Sequence, residues 1–134
     1  MSASITVTVE WCMGHRLPNH NGACKNLHGH QYKAEATVPG DISTVRGSAH
    51  EGMVMDFGLV KSVLKEVVKD LDHTFLLSVD DPHLPQLRGL PGVHSVLFVP
   101  TAENIAQFIL EQLPEGVTSV RVWETPTSYA EVWR

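Results

Sequence analysis

The sequence lacks any run of apolar residues approaching the ~18 that a membrane-spanning helix requires. Its first residues, MSASITVTVEW, lack the basic segment and the long apolar run of a signal peptide, and they alternate like a strand. Cysteine is scarce too. The two cysteines, Cys12 and Cys24, are too few to form the disulfide framework of a small secreted protein. We therefore expect a cytoplasmic protein whose two thiols stay reduced.

Positive charge is also in short supply. The chain has 10 Lys and Arg against 15 Asp and Glu, a formal net charge of −5. Nucleic-acid-binding modules usually carry a basic face, so this balance argues against a nucleic-acid partner bound through bulk electrostatics. A phosphorylated small molecule held by a few local cations remains compatible with it. With 134 residues, 43% of them hydrophobic, the chain fits one globular domain over residues 1–134.

Hydrophobic patterning predicts four strands and two helices. Alternation predicts a hairpin of strands 4–11 and 30–38, with residues 12–29 as a long polar connection. Helical periodicity predicts one helix after Asp56 and another after Thr101, and each of these residues is a candidate N-cap. Two further strands, joined by a tight turn at ETPT, are predicted at the end of the sequence. Segment 78–99 is broken by three prolines and two glycines, and within it only VHSVLFV fits a short strand. This order predicts an α+β fold, an antiparallel sheet with helices on one face.

Eight histidines are present, and three of them fit a metal site. His28 and His30 are two residues apart, so on an extended chain both rings project from the same side. Hairpin pairing would bring His15, near the end of the partner strand, alongside them. Three imidazoles with an open fourth position are typical of catalytic zinc. The alternative is that the H-x-H pair is a solvated strand end.

Cys24 precedes this pair by four positions and has two chemical interpretations. As a fourth ligand it would saturate the metal, whereas as a nearby thiolate it would act as a base. Asp72 and His73, in LDH, follow the first helix, and their contact would require the chain to leave the helix there. A cysteine–histidine pair oriented by a carboxylate is a common way to activate a thiol. Taken alone, His73 also fits a helix C-terminal cap.

Glu124 shares the inward phase of Val120 and Val122 on the first C-terminal strand. A carboxylate among apolar side chains needs a partner, and the adjacent N–H donors of a guanidine-like heterocycle would pair with it bidentately. The alternative is a solvated glutamate at the end of the strand.

Taken together, WCMGH, NGACKNLHGHQY, VMDF, LDHTFL, TAENIA and VWETPTSY resemble the 6-pyruvoyl-tetrahydropterin synthase and 6-carboxytetrahydropterin synthase family. The resemblance extends from about Trp11 to Tyr129. Trp11 replaces the usual phenylalanine, Ala102 replaces a threonine found in some members, and segment 78–99 is longer than usual. These departures bear on the substrate more than on the metal.

The resemblance implies zinc on the three histidines, with Cys24 as the proton-abstracting thiol and Asp72 with His73 as its partners. It implies the tunnelling fold, a four-stranded antiparallel sheet with two helices on one face. In that fold the subunits join their sheets into a barrel and stack as a hexamer, a dimer of trimers. Sites at subunit interfaces would let Cys24 meet the Asp72–His73 pair of another subunit.

The resemblance also assigns the substrate site. It implies that Glu124 anchors the pterin ring of 7,8-dihydroneopterin triphosphate, with Thr101 and Glu103 nearby. The nearest cations that could bind the triphosphate are then Arg16, Lys25 and Lys33.

Two products are possible within the family. The HRLPNH stretch and the close spacing of Cys24 to LHGH favour 6-carboxy-5,6,7,8-tetrahydropterin, made in queuosine-type 7-deazapurine synthesis, over the 6-pyruvoyl product of biopterin-type synthesis. Two other classes remain open: a non-catalytic pterin- or purine-binding protein, and a structural zinc protein in which Cys24 closes a four-ligand site.

Overall fold

A computed structural model describes residues 2–134, and within that range the chain forms six strands and three helices. The elements are β1 (Ser2–His15), β2 (His28–Asp41), α1 (Phe57–Lys69), β3 (Thr74–Ser78), α2 (Leu84–Leu87), β4 (Val93–Val96), α3 (Ala102–Glu111), β5 (Ser119–Thr125) and β6 (Ser128–Trp133). No helix between residues 2 and 134 is both long and apolar enough to cross a membrane.

The sheet has the order β4-β3-β1-β2-β5-β6, and a third helix, the four-residue α2, is present, so the prediction of four strands, all antiparallel, with two helices was wrong. The β1/β2, β2/β5 and β5/β6 pairs are antiparallel, whereas β1/β3 and β3/β4 are parallel. The missed strand β3 has the sequence TFLLS, in which three consecutive residues are buried. A short strand buried on both faces shows no alternation, so its pattern does not separate it from the preceding helix.

The two longer helices cover one face of the sheet, as predicted. Val60, Leu64 and Val68 of α1 and Ile105 and Ile109 of α3 join alternate residues of β1, β2 and β5 in one buried cluster. Both predicted N-caps are confirmed, because the side chains of the residues preceding α1 and α3 accept hydrogen bonds from first-turn backbone N–H groups.

The β1/β2 hairpin is longer than predicted, and this difference places the polar residues of interest. Pairing runs without interruption from Ser2 opposite Asp41 to His15 opposite His28. The connection is therefore residues 16–27 rather than 12–29. The strand ends carry histidines on the core-facing side where apolar residues are expected, so alternation of hydrophobicity alone ends the strands too early.

Candidate metal centre

Hairpin register brings together the three predicted histidines. His15 lies opposite His28, and His30 follows on the same face of β2. One ring nitrogen from each residue lies within 4.8 Å of the others. His15 is fully buried, whereas His28 and His30 are half-buried. The cluster therefore has a closed side against the core and an accessible side.

Backbone carbonyls orient two of the three rings. His15 Nδ1 lies 2.7 Å from the carbonyl oxygen of Pro100, and His28 Nδ1 lies 2.8 Å from that of Asn26. A carbonyl oxygen only accepts, so each Nδ1 carries the hydrogen and a neutral ring leaves Nε2 as a bare lone pair. This arrangement is the usual one for histidine that binds a metal through Nε2.

The facing nitrogens fit a cation between them. His15 Nε2 and His28 Nε2 are 3.0 Å apart, and with both hydrogens on Nδ1 this contact joins two lone pairs. His30 Nε2 is buried and has no hydrogen-bond partner within residues 2–134. An ion held by all three nitrogens would relieve the repulsion and satisfy the buried acceptor. Imidazole ligands suit transition-metal ions such as zinc, copper, iron and nickel, so this set of nitrogens fits an ion of that class.

Burial keeps the rings of His15 and His30 neutral. Desolvation lowers the pKa of His15 from 6.5 to about 4, against a raising contribution from the hydrogen bond to Pro100 and with smaller lowering contributions from the other two histidines. Desolvation also lowers the pKa of His30, against the raising effect of Glu124. At neutral pH both rings are therefore in the form that binds a metal.

The carboxylate of Glu124 lies beside the cluster. Its oxygens are 3.9 Å from His15 Nε2 and 3.8 Å from His30 Nε2, and a quarter of the side chain is exposed. The β5/β6 register shifts between Trp123 and Thr125, so the strand is irregular at this residue. Such irregularities re-aim side chains near functional sites. The predicted inward orientation is present, and the carboxylate faces the histidines with an accessible edge.

Tyr32 is a site residue that the sequence reasoning missed. Its ring is fully buried, 5.4 Å from that of His30 between centroids, and it stacks on Trp11 at 5.1 Å. The hydroxyl has no hydrogen-bond partner in the described part of the chain. Burial, reinforced by the charges of Glu124 and Cys24, raises the pKa of Tyr32. The HGHQY stretch could have predicted this position, because residue 32 of an extended strand lies on the same face as residues 28 and 30.

Cys24 lies near the cluster but outside it. It belongs to a 3₁₀ turn, Ala23–Lys25, whose position is held by a hydrogen bond from Leu17 N to Cys24 O at 3.0 Å. The thiol is half-buried and not in a disulfide, and it lies close enough to Tyr32 to contribute to the raised pKa of that hydroxyl. Within residues 2–134 the only metal-binding cluster consists of the three histidines. This geometry favours a nearby thiol over a fourth ligand.

Asp72 and His73 contact each other as the chain leaves α1. His73 adopts a left-handed conformation, with φ of 61°, and its Nδ1 lies 3.0 Å from Asp72 Oδ1. The backbone of Cys12 holds both residues, because its N–H donates to Asp72 Oδ1 and its carbonyl accepts from His73 N. A left-handed histidine persists only when its surroundings impose it, and such strain is common at functional sites.

Within the single chain described, this pair does not contact Cys24 through a hydrogen bond. No hydrogen bond links Cys24 to Asp72 or His73 among residues 2–134, and 81% of the His73 side chain is exposed. Thr101 caps α3, with its hydroxyl accepting from Asn104 N at 3.1 Å, and Glu103 is exposed in the first turn. Neither residue forms a hydrogen bond or ion pair with the three histidines in the described range. Their predicted roles in substrate binding stay predictions.

Comparisons with known proteins agree on one family. A family model described as 6-pyruvoyl tetrahydropterin synthase matches residues 4–134. The chain is 38% identical over 129 residues to a 6-carboxy-5,6,7,8-tetrahydropterin synthase from Haemophilus influenzae, a match that covers 89% of this chain and 90% of the relative.

Two solved structures extend this similarity to the fold. An uncharacterized protein from Wolinella succinogenes aligns with a TM-score of 0.82 at 26% identity, over 99% of this chain and 98% of the other. The 6-pyruvoyl tetrahydropterin synthase of Plasmodium falciparum aligns with a TM-score of 0.74 at 24% identity, over the same shares of the two chains. At that identity the second match shows the fold alone.

Proposed function

The chain belongs to the 6-pyruvoyl tetrahydropterin synthase family, and from that premise we propose that it is a zinc-dependent lyase acting on 7,8-dihydroneopterin triphosphate. With one water molecule consumed, the products would be 6-carboxy-5,6,7,8-tetrahydropterin, triphosphate and acetaldehyde, in cytoplasmic queuosine-type 7-deazapurine synthesis. The observation that carries the proposal is the cluster of three histidines, two of them fixed by backbone carbonyls so that their Nε2 lone pairs converge beside an accessible carboxylate.

The histidine cluster would hold zinc through three nitrogens and leave a coordination position open to the substrate. When bound, zinc supplies a Lewis acid that makes protons near the hydroxyls of the substrate side chain easier to remove. The lowered pKa of His15 keeps that ring neutral, so the site does not have to expel a proton from it before binding the metal at neutral pH.

Glu124 would orient the substrate. Its carboxylate offers two acceptor oxygens at the edge of the cluster, and the pterin ring offers two adjacent N–H donors in the matching arrangement. Binding the ring there would place the substrate side chain over the histidines. Tyr32, with its buried hydroxyl unsatisfied in the described chain, would provide a donor on the same side.

Cys24 and His73 would transfer the protons. The thiol lies on the loop next to the cluster, and a thiolate there would accept a proton from the substrate side chain. Asp72 accepts a hydrogen bond from the backbone of Cys12 and holds His73 Nδ1, which leaves Nε2 of that ring to exchange protons. His73 is exposed and separate from Cys24 within one chain, which supports a site completed by His73 of a neighbouring subunit in a homohexamer.

The family's other product is the second candidate, because the matching family model carries the 6-pyruvoyl description. That reaction eliminates triphosphate but keeps all three side-chain carbons. The relative from Haemophilus influenzae, 38% identical, has the 6-carboxy name and favours the first candidate.

Product analysis separates the two candidates. Zinc-loaded protein is incubated with 7,8-dihydroneopterin triphosphate, and the pterin is identified by mass. We expect the mass of 6-carboxytetrahydropterin, and a pterin with its three-carbon side chain intact would replace this proposal by the second. We expect Cys24→Ala to be inactive. Cys12→Ala is its matched control, because Cys12 contacts Asp72 and His73 only through its backbone, which the substitution keeps.

A further inference from the structure

A cleft of about 370 Å³ lies between the β1–β2 loop and α2, beside the histidine cluster. Its polar lining comes from Arg16, Lys25 and Asn26 of the loop and from His83 and Gln86 of segment 78–99. We propose that this cleft binds the triphosphate of the substrate and that segment 78–99 supplies part of it. The inference rests on the proposed function and deepens it by naming the site for the anionic part of the substrate.

A buried aspartate fixes Arg16 at the wall of the cleft. Arg16 Nη1 donates to Asp81 Oδ1, and Arg16 Nε donates to the carbonyl oxygen of Lys25 at 2.8 Å. The Asp81 side chain is fully buried, and its Oδ1 also accepts from His83 N at 2.9 Å. Asp81 therefore ties the arginine to the start of α2. Arg16 Nη2 makes no hydrogen bond within residues 2–134, so part of a guanidinium fork, which suits phosphate oxygens, is left for a ligand.

Lys25 adds a donor that has no partner in the described chain, and His83 presents Nε2, which donates only when the ring carries both hydrogens. Lys25 is exposed, and its Nζ forms no hydrogen bond or ion pair among residues 2–134. His83 Nδ1 lies 2.7 Å from Gln86 Oε1, so Nδ1 donates and the ring edge at Nε2 is left open. A protonated ring would donate from Nε2 as well. The one carboxylate in this group, Asp81, contacts Arg16 through Oδ1 and is not among the residues that line the cleft, so the lining itself contains no carboxylate to oppose an anion.

The cleft lies next to the histidine cluster along the chain and in space. Arg16 follows His15 directly, and Asn26, in the cleft wall, supplies the carbonyl oxygen that orients His28. An anion held there would place its attached side chain toward the histidines. This position accounts for the role of segment 78–99, which the sequence left unassigned.

The third cation that the sequence suggested is in the wrong place. Lys33 lies 3.7 Å from Glu35, and its Nζ is 4.8 Å from the centre of the Trp123 ring. On an extended strand, residues 33 and 35 project from the face opposite Tyr32. Lys33 therefore belongs to the outer face of the sheet, away from the histidines, and is not part of the cleft.

Inorganic triphosphate is the probe that tests this inference. Its affinity for the zinc-loaded protein is measured by calorimetry, alongside that of neopterin, which has the ring and side chain without phosphate. In the double variant Lys25→Gln/His83→Ala we expect triphosphate affinity to fall at least roughly tenfold, with neopterin affinity unchanged. The matched control is Lys65→Gln/His50→Ala, which removes an exposed lysine and an exposed histidine outside the cleft and outside segment 78–99 and should leave both affinities unchanged.

Two results would overturn the inference: triphosphate affinity in the double variant equal to that of the unaltered protein, or an equal loss of neopterin affinity, which would indicate a displaced loop. Turnover of the pterin by the unaltered protein, measured separately, tests the proposed function. If the unaltered protein converts the substrate but the double variant keeps its full triphosphate affinity, the proposed function stands and only the assignment of the cleft is refuted.

Discussion

Stability of the metal-free protein should depend steeply on pH because of His15. Its pKa is 6.5 in the unfolded chain and about 4 in the folded one, because burial disfavours the charged ring. Between these values the unfolded state binds a proton that the folded state does not, so stability falls as pH falls through this window. The gap corresponds to about 3 kcal/mol in full, of which about 2 kcal/mol should be lost between pH 7 and pH 5.

Urea unfolding of chelator-treated protein at pH 7 and pH 5, followed by tryptophan fluorescence, measures this loss. His30 contributes in the same direction, because its pKa is also lowered. The variant His15→Asn removes the titrating ring, so its unfolding free energy should change by about 2 kcal/mol less over the same interval. His94→Gln, an exposed histidine on β4, should keep the full dependence. Equal pH dependence in His15→Asn and the unaltered protein would refute the assignment to His15.

Three further predictions concern the site itself. Zinc should bind in about equimolar amount and be lost when His15, His28 and His30 are all changed to alanine, as measured by elemental analysis; full occupancy in that variant would contradict the site. Cys24→Ala should keep its zinc and lose turnover by roughly 10²-fold or more, whereas depleted zinc would make the thiol a ligand. Glu124→Gln should weaken neopterin binding at least roughly tenfold in calorimetry, because one acceptor oxygen becomes a donor facing a donor. Unchanged affinity would place the pterin anchor elsewhere.

The metal site was predictable from the sequence because its residues follow simple periodicity. Spacing by two places His28 and His30 on one face of a strand, and hairpin pairing supplies His15. The same spacing also places Tyr32 on this face, but a tyrosine on the buried face of a strand is typical of an ordinary core residue, so the sequence alone does not identify it as part of the site. The carbonyl partners of the rings come from Asn26 and Pro100, and a contact between residue 15 and residue 100 depends on packing that no local pattern contains.

The edge of the sheet was harder to predict. β3 follows α1 so closely that its apolar residues extend the helical pattern, and β4 is four residues long in a segment rich in proline. The parallel pairings of β3 with β1 and of β4 with β3 join residues that are far apart in the sequence. The contact between Asp72 and His73 was predicted only on condition that the chain leaves the helix, and the left-handed conformation of His73 meets that condition.

The ratio of acetaldehyde to triphosphate released tests the central claim most directly. Zinc-loaded protein is incubated with a known amount of 7,8-dihydroneopterin triphosphate, and both small products are quantified over time. A 6-carboxytetrahydropterin synthase cleaves the side chain once for every triphosphate it expels, so the account predicts equal amounts of the two from the earliest time points. Triphosphate release without acetaldehyde would contradict it, and so would the absence of both from protein that holds its zinc.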